Sequence, residues 1–338
     1  MTQDNGGIRW GVVGSGGIAR SFVQGLRAVP SARVTAVGSR TGARAEEFGQ
    51  EWDIPNRHAS YEALAADPEV DAVYVATPHP WHHPNTLLML SAGKHVLVEK
   101  PMAMNALQVS EMVAAARAGD RFLMEAMWTR YLPASRLARE LVADGAIGEL
   151  CSVSAEFGIN VPYDPDHRLF NADLGGGALL DLGVYPLALA SQYLGELTVM
   201  GATRQLSPDR MVDTQTTVLV RGENGVSATL GCASRTALPN RAVLAGTAGW
   251  IEIPSFWAAT EFVLHREGAE PERFHRPFRA NGYEYEIEEV SRCLAAGERQ
   301  SPDMTWAESQ RLAGVMDQIR DAGGLVYSPA NVKAVPLG

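Results

Sequence analysis

The chain has few cysteines, no excess of basic residues and no long uncharged apolar run, and each shortage closes off a class of protein. Cys151, Cys232 and Cys293 are an odd number without the paired spacings of a zinc site or a disulfide framework, which fits a reducing compartment. The formal net charge is -10 and no dense Lys/Arg run occurs, so no nucleic-acid partner is expected and any phosphate-binding patch must be local. No stretch reaches the ~18 uncharged apolar residues of a membrane span. The N-terminal MTQDNGG carries an acid where a secretion signal carries basic residues. The expected location is therefore the cytoplasm, with no membrane partner. Internal repeats, low-complexity segments and long linkers are absent as well.

At 338 residues, 46% hydrophobic and 20% charged, the chain is globular and too long for one ordinary core, so two domains are expected. From Ile8 to about Met127, short β-rich runs alternate with helix-length amphipathic stretches. The runs Ile8 to Val13, Arg33 to Gly38, Ala72 to Ala76, His95 to Glu99 and Phe122 to Glu125 read as buried parallel strands. Helices such as Ile18 to Ala28 and Ala106 to Ala118 lie between them, making a doubly wound α/β half of Rossmann type over residues 1–127. Residues 128–338 read as an α+β half. A helix runs to Asp144, a strand from Cys151 to Asn160, and a helix from Ala178 to Leu194. Thr214 to Val220 and Val226 to Ser234 flank an Asn224-Gly225 hairpin turn. Strands at Ala242 to Ala245, Trp250 to Ile253 and Glu261 to His265 extend a mostly antiparallel sheet. Helices Tyr283 to Ala296 and Trp306 to Ala322 close the chain, covering an edge or returning to the first half.

Three motifs carry chemistry. Between the first strand and helix stands Gly14-Ser15-Gly16-Gly17-Ile18-Ala19, a G-x-G-x-x-A loop: Gly14 permits the tight turn, Gly16 the approach of backbone to a pyrophosphate, and Ala19 close helix packing. The second strand ends in Gly38-Ser39-Arg40 rather than the acid that holds the ribose of NAD. A carboxylate would repel a 2′-phosphate, whereas Ser39, Arg40 and nearby Arg44 suit one, so NADP is expected, with NAD the alternative. The fourth strand ends in Glu99-Lys100-Pro101, at the edge where open α/β sheets bind ligands, and Pro101 could follow a cis bond. Opposite it is placed Gly175-Gly176-Gly177, opening a helix on which Asp181 and Tyr185, at i and i+4, share a face.

The glycine loop, Thr77-Pro78 followed by His82, Ala92 to Val96 leading into Glu99-Lys100-Pro101, and Gly175 to Tyr185 together resemble the glucose-fructose oxidoreductase/inositol dehydrogenase (Gfo/Idh/MocA) family over nearly the whole chain. Within it, Glu125 to Arg130 and the tyrosine at 185 are most similar to the dimeric dihydrodiol dehydrogenase and NADP-dependent xylose dehydrogenase branch; many other members have histidine at that position. The resemblance implies a Rossmann domain and an open, mostly antiparallel sheet that makes subunit contacts in a homodimer or homotetramer, with the active site between the domains. It assigns Lys100 to the reacting hydroxyl and Tyr185 to acid/base work. The expected reaction is hydride transfer between the nicotinamide and a carbinol carbon of a small carbohydrate or cyclic diol, such as an aldose C1 or a trans-dihydrodiol. An NAD-dependent glycosidase and a non-catalytic cofactor-binding regulator are the competing readings on this fold.

In the oxidation direction Tyr185 would take the hydroxyl proton. A phenol of pKa ~10 must be lowered by about 3 units, or ~4 kcal/mol, to do so near pH 7, and Lys100 is expected to provide part of this. Asp181 is expected to hold a second substrate hydroxyl. Thr77, Pro78, His79, His82 and Glu99 are assigned with Lys100 to the cofactor side. Trp128 would add an apolar wall and Arg130 a donor near the nicotinamide, and His167 and Arg168 would touch substrate. No acidic or cysteine residue adjoins His79, His82 and His83 in sequence, so no metal is expected.

Overall fold

In a computed structural model of the chain, residues 7–322 are described. Residues 1–6, which hold most of the N-terminal MTQDNGG stretch, and 323–338, the tail of the expected second domain, lie outside them. Six parallel strands form the first sheet: β1 (Ile8–Val13), β2 (Ala32–Gly38), β3 (Asn56–His58), β4 (Ala72–Val75), β5 (His95–Glu99) and β6 (Leu123–Ala126). Their spatial order β3-β2-β1-β4-β5-β6 places the reversal between β1 and β4, so a crevice opens at their carboxyl ends. The central strands are buried on both faces, as their near-continuous apolar runs require. β3 escapes sequence reading because it is three residues long and polar.

The second sheet has eight strands: β7 (Leu150–Gly158), β8 (Leu197–Leu206), β9 (Asp213–Gly222), β10 (Ser227–Ala233), β11 (Ala242–Gly246), β12 (Gly249–Ile253), β13 (Glu261–Arg266) and β14 (Glu272–His275), in the order β14-β13-β12-β11-β7-β10-β9-β8. All neighbours pair antiparallel except β7 with β10. β8 and β14 are additions to the sequence reading: β8 carries apolar Met200 on its exposed face and a bulge between Val199 and Gly201, which break its alternation, and β14 is mostly charged. One face of this sheet is covered by the apolar stretch Ala172–Leu194. That stretch has the length and hydropathy of a membrane span, yet nearly all of it is buried inside the fold. The last two helices, Glu284–Ala295 and Trp306–Asp321, return to the first sheet and pack beside the helices Gly17–Leu26 and Ala106–Ala118.

Glu125 on β6 gives this core a pH dependence. It is 2% exposed, its Oε1 accepts the Met102 N–H at 2.9 Å, and burial pushes its carboxyl up to about 7. A folded pKa above the unfolded one means stability that is complete in acid and is lost as pH rises through about 7. The change amounts to ~3 kcal/mol. Glu125→Gln should therefore be more stable than the parent at pH 8 and indistinguishable from it near pH 4. Urea midpoints of the two proteins across that range check this, and equal midpoints throughout would refute it.

Candidate active site

The crevice at the β1/β4 reversal is a cleft of about 1010 Å³. Its floor begins at the glycine loop. Gly14 has φ +104, and a Cβ there would stand 2.9 Å from the Ala76 carbonyl, so only glycine fits. At Gly16 and Gly17 a Cβ would meet nothing within 4 Å, leaving the backbone and the first N–H groups of the helix Gly17–Leu26 open to the cleft. Ala19 is fully buried against the core. Ser15 and Ile18 line the same wall.

Farther along, Ser39 is buried at the end of β2, while Arg40 and Arg44 are exposed and line the cleft. Among the described residues no carboxylate pairs with either guanidinium, although Arg20 nearby is paired with Glu51. Two unneutralised cations beside a buried hydroxyl and a helix N-terminus suit a phosphorylated nucleotide. Tyr61 and Glu47 complete this end; neither was foreseen, because a residue at the start of a short helix and a surface glutamate carry no sequence signal.

At the other end the chemistry-bearing side chains converge. The Lys100-Pro101 bond is cis. Lys100 Nζ donates to the Asp181 main-chain carbonyl at 2.9 Å and to Asp181 Oδ1 at 3.2 Å, and lies 4.8 Å from the centroid of the Tyr185 ring. Arg168 donates from both terminal nitrogens to the two Asp181 oxygens at 3.0 and 3.1 Å. Burial works against the Asp181 carboxylate, but Lys100 and then Arg168 outweigh it and hold the carboxyl well below its usual range. Burial likewise opposes the Lys100 ammonium and is overcome chiefly by Asp181, leaving Lys100 charged.

Two expectations change here. Both oxygens of Asp181 are already engaged by cations, so its geometry fits holding Lys100 and Arg168 more than receiving a substrate hydroxyl. The Tyr185 phenol is not lowered: burial pushes it up, and Lys100 only partly opposes this because the ammonium sits over the ring. Tyr185 therefore carries its proton at neutral pH.

Glu99 also lines the cleft; its Oε1 accepts the Tyr74 hydroxyl and its Oε2 the Lys100 N–H at 3.2 Å. Thr77 and Pro78 border the floor at the end of β4. His82 is fully buried between the Pro101 carbonyl (2.9 Å from Nδ1) and the Thr77 carbonyl (2.7 Å from Nε2); burial pushes it down to about 4, so the neutral ring donates to one of them. His79, pushed down by burial to about 3, binds the Gly175 carbonyl at 2.8 Å and stands 3.6 Å from Asp181. His79 and His83 do have acidic neighbours, Asp181 and Glu111, contributed by distant parts of the chain that local sequence cannot reveal.

Trp128, Arg130 and His167 are not among the cleft-lining residues. Trp128 stacks on Tyr283 at 4.9 Å and packs near Trp257 and Phe278. Arg130 is buried in an ion pair with Glu308 and donates to the Ala188 and Asp303 carbonyls. Arg130 is interior packing, whereas the Trp128 indole, although it does not line the cleft, lies behind it against the Tyr185 phenol and eases that phenol down against burial. His167 braces its own loop by accepting the Leu169 N–H at 3.3 Å, and so supports Arg168. The aromatic wall of the cleft is made by two other rings in front of Trp128: Trp257 stacks on Phe157 at 4.9 Å, and Phe157 meets Tyr185 edge-on at 5.4 Å. Trp257 sits in a short turn after β12, where no periodicity marks it.

Comparison with known proteins agrees with this layout. The sequence model of the GFO/IDH/MocA oxidoreductase family, NAD-binding Rossmann fold, matches residues 8–127, and that of the GFO/IDH/MocA C-terminal domain matches residues 135–252. The chain is 39% identical to trans-1,2-dihydrobenzene-1,2-diol dehydrogenase of Mus musculus, covering 95% of this chain and 98% of that protein. Among solved structures it is similar to KijD10, a 3-ketoreductase from Actinomadura kijaniata in complex with NADP and TDP-benzene (TM-score 0.85, 31% identity, 94% of this chain and 98% of that one). It is also similar to aldose-aldose oxidoreductase from Caulobacter crescentus (TM-score 0.86, 26% identity, 94% and 98%).

Proposed function

Because the chain belongs to the GFO/IDH/MocA oxidoreductase family, we propose that it is an NADP-dependent oxidoreductase that interconverts a carbonyl and a carbinol on a cyclic diol or sugar. The observation that carries this reading is the meeting of Lys100, Asp181 and Tyr185 in one cleft with the glycine loop and the unneutralised Arg40 and Arg44. The glycine loop and helix N-terminus would hold the pyrophosphate, and Ser39, Arg40 and Arg44 the 2′-phosphate. Held there, the cofactor would supply the hydride as NADPH in reduction and take it up as NADP+ in oxidation. Tyr185, protonated at neutral pH, gives its phenolic proton to the carbonyl oxygen in reduction and recovers one from the carbinol in oxidation. Lys100 supports the charge that develops on that oxygen. Phe157 and Trp257 offer flat apolar faces that suit the C–H face of a ring substrate.

Cofactor and substrate are tested together by following reduced nicotinamide with NADP or NAD over a panel of pentoses, hexoses, inositol and a trans-dihydrodiol. NADP-selective turnover with one substrate class supports the reading. Cofactor binding without turnover, or hydrolysis of an aryl glycoside without net reduction, overturns it. Arg40→Glu should raise the NADP KM by about 10- to 100-fold, the value of a lost hydrogen bond to a charged group, and leave the NAD KM nearly unchanged. An equal effect on both cofactors would remove Arg40 from the phosphate site.

Assembly through the second sheet belongs to the same proposal. Leu219 on β9 is 46% exposed between the buried Val218 and Val220, and Trp250 on β12 is 44% exposed and stacked on His265. A second copy of this chain covering that face would give a homodimer, and sedimentation of the purified protein tests it.

A further inference from the structure

The helix bearing Asp181 and Tyr185 is irregular where it enters the site. Leu179–Gly183 forms a π-turn, and the α-helix Val184–Leu194 follows. The sequence supplies a cause. Pro186 has no N–H, and its ring crowds the carbonyl four residues back, that of Leu182. In π-type bonding the Asp181 carbonyl would need the N–H five residues on, which is Pro186 again. That carbonyl accepts from Lys100 Nζ instead, at 2.9 Å. The helix irregularity thus provides the ammonium with a second acceptor beside the Asp181 carboxylate.

The start of the π-turn is held from outside the helix. Asp213, the first residue of β9, is 1% exposed; its Oδ2 accepts the Leu179 N–H at 2.9 Å and the Thr216 hydroxyl at 2.7 Å. Before Leu179, Gly175 and Gly177 have φ of +71 and +114 and offer no side chain to anchor the turn. At its far end Gly183 lies so close to Cys232 that a Cβ would stand 3.0 Å from the sulfur. Asp213 keeps one oxygen without a partner in the core, an expensive way to cap a single N–H.

We propose that Asp213 is a positioning residue for the reaction site: by capping Leu179 it fixes the π-turn and, with it, the reach from the Asp181 carboxylate and carbonyl to Lys100 Nζ. The proposal rests on the role given to Lys100 above, but its test needs no turnover. The ammonium is faced by Asp181, Tyr185, Glu99 and Arg168, with the buried His79 and His82 close by. Asp213 is faced by Thr216, Arg204 and Cys232. If the turn slackens, Asp181 withdraws while burial remains, and Lys100 loses its proton more easily.

The experiment is competitive acylation of Lys100 in the full chain without cofactor, followed by mass spectrometry across alkaline pH, with buried Lys94 as internal reference. A change in access multiplies the rate equally at every pH; because the parent ammonium stays protonated through the accessible alkaline range, a lowered proton affinity shows as a rate that levels off where the parent's still climbs. Asp213→Ala should bring that levelling down by about one pH unit or more and lower kcat about tenfold, with the NADP KM within about twofold. Asp213→Asn keeps an acceptor for Leu179 and should stay near the parent. Thr216→Val should move in the direction of Asp213→Ala by a smaller step, and it carries the test if Asp213→Ala does not fold. A parental Lys100 profile in Asp213→Ala, or in Thr216→Val when that variant carries the test, overturns the proposal, as does an asparagine variant as impaired as alanine. Failure of the oxidoreductase reading would look different: no turnover in the parent, with the Lys100 shift intact.

Discussion

Tyr185→Phe is expected to lower kcat in both directions by about 10²- to 10⁴-fold, the usual worth of a positioned acid/base, while leaving NADP affinity unchanged. The change removes one oxygen from a ring packed between Phe157 and Lys100, so the fold has little to lose. The parent enzyme should also show the charge state of this phenol. Burial raises its pKa, so reduction, which needs the proton present, should be flat through neutral pH. Oxidation, which needs a base, should climb about tenfold per pH unit toward alkaline solution. Initial rates measured from pH 6 to 10 with the parent and Tyr185→Phe check both statements. Comparable rates in Tyr185→Phe would remove Tyr185 from the chemistry.

Lys100→Met should cost both activity and stability. The ammonium is the nearest positive charge to Tyr185 and the leading counterion of Asp181, whose side chain is 5% exposed. Removing one member of a buried ion pair costs about 3–5 kcal/mol. Arg168 remains on Asp181, so the loss should fall near 3 kcal/mol. The sign with pH is definite. Asp181 has a depressed folded pKa, so its contribution is present above the unfolded carboxyl value and fades as pH falls below it. In Lys100→Met that acid-side loss should shrink, because less is there to lose. Urea unfolding at pH 7 and pH 3 measures both effects; a variant as stable as its parent at pH 7 would mean that Arg168 alone satisfies Asp181.

Why these residues could be named from sequence while others could not has a physical basis. Gly14 to Ile18, Ser39 and Glu99-Lys100 follow directly on apolar strands, and strand ends in a parallel sheet converge on one crevice whatever the loops do. Asp181 and Tyr185 are linked by helical spacing, which survives even the π-turn. The turn itself was open to inference from Pro186 but not from apolar periodicity, which reads straight through it. Arg130 turns into the core and Trp128 reaches the site only from behind, against Tyr185, because sequence tells where a strand ends but not whether the next turn faces solvent or core. The state of Tyr185 depends on burial by Phe157 and by other residues far away in the chain, so a neighbouring lysine was a poor guide to it.

The return of the last two helices bears on how the molecule is made. The Ala106 N–H is capped by Asp317 at 2.9 Å, Trp306 Nε1 donates to the Leu123 carbonyl at 2.9 Å, and the Leu123 N–H donates to the Arg299 carbonyl at 3.0 Å. A nascent chain synthesised only as far as β6 would expose the faces these partners cover, and chains grow from the N-terminus. The nucleotide-binding half therefore lacks these three contacts until residues 299–317 have been made, so the finishing of its outer face follows synthesis of the second sheet instead of preceding it.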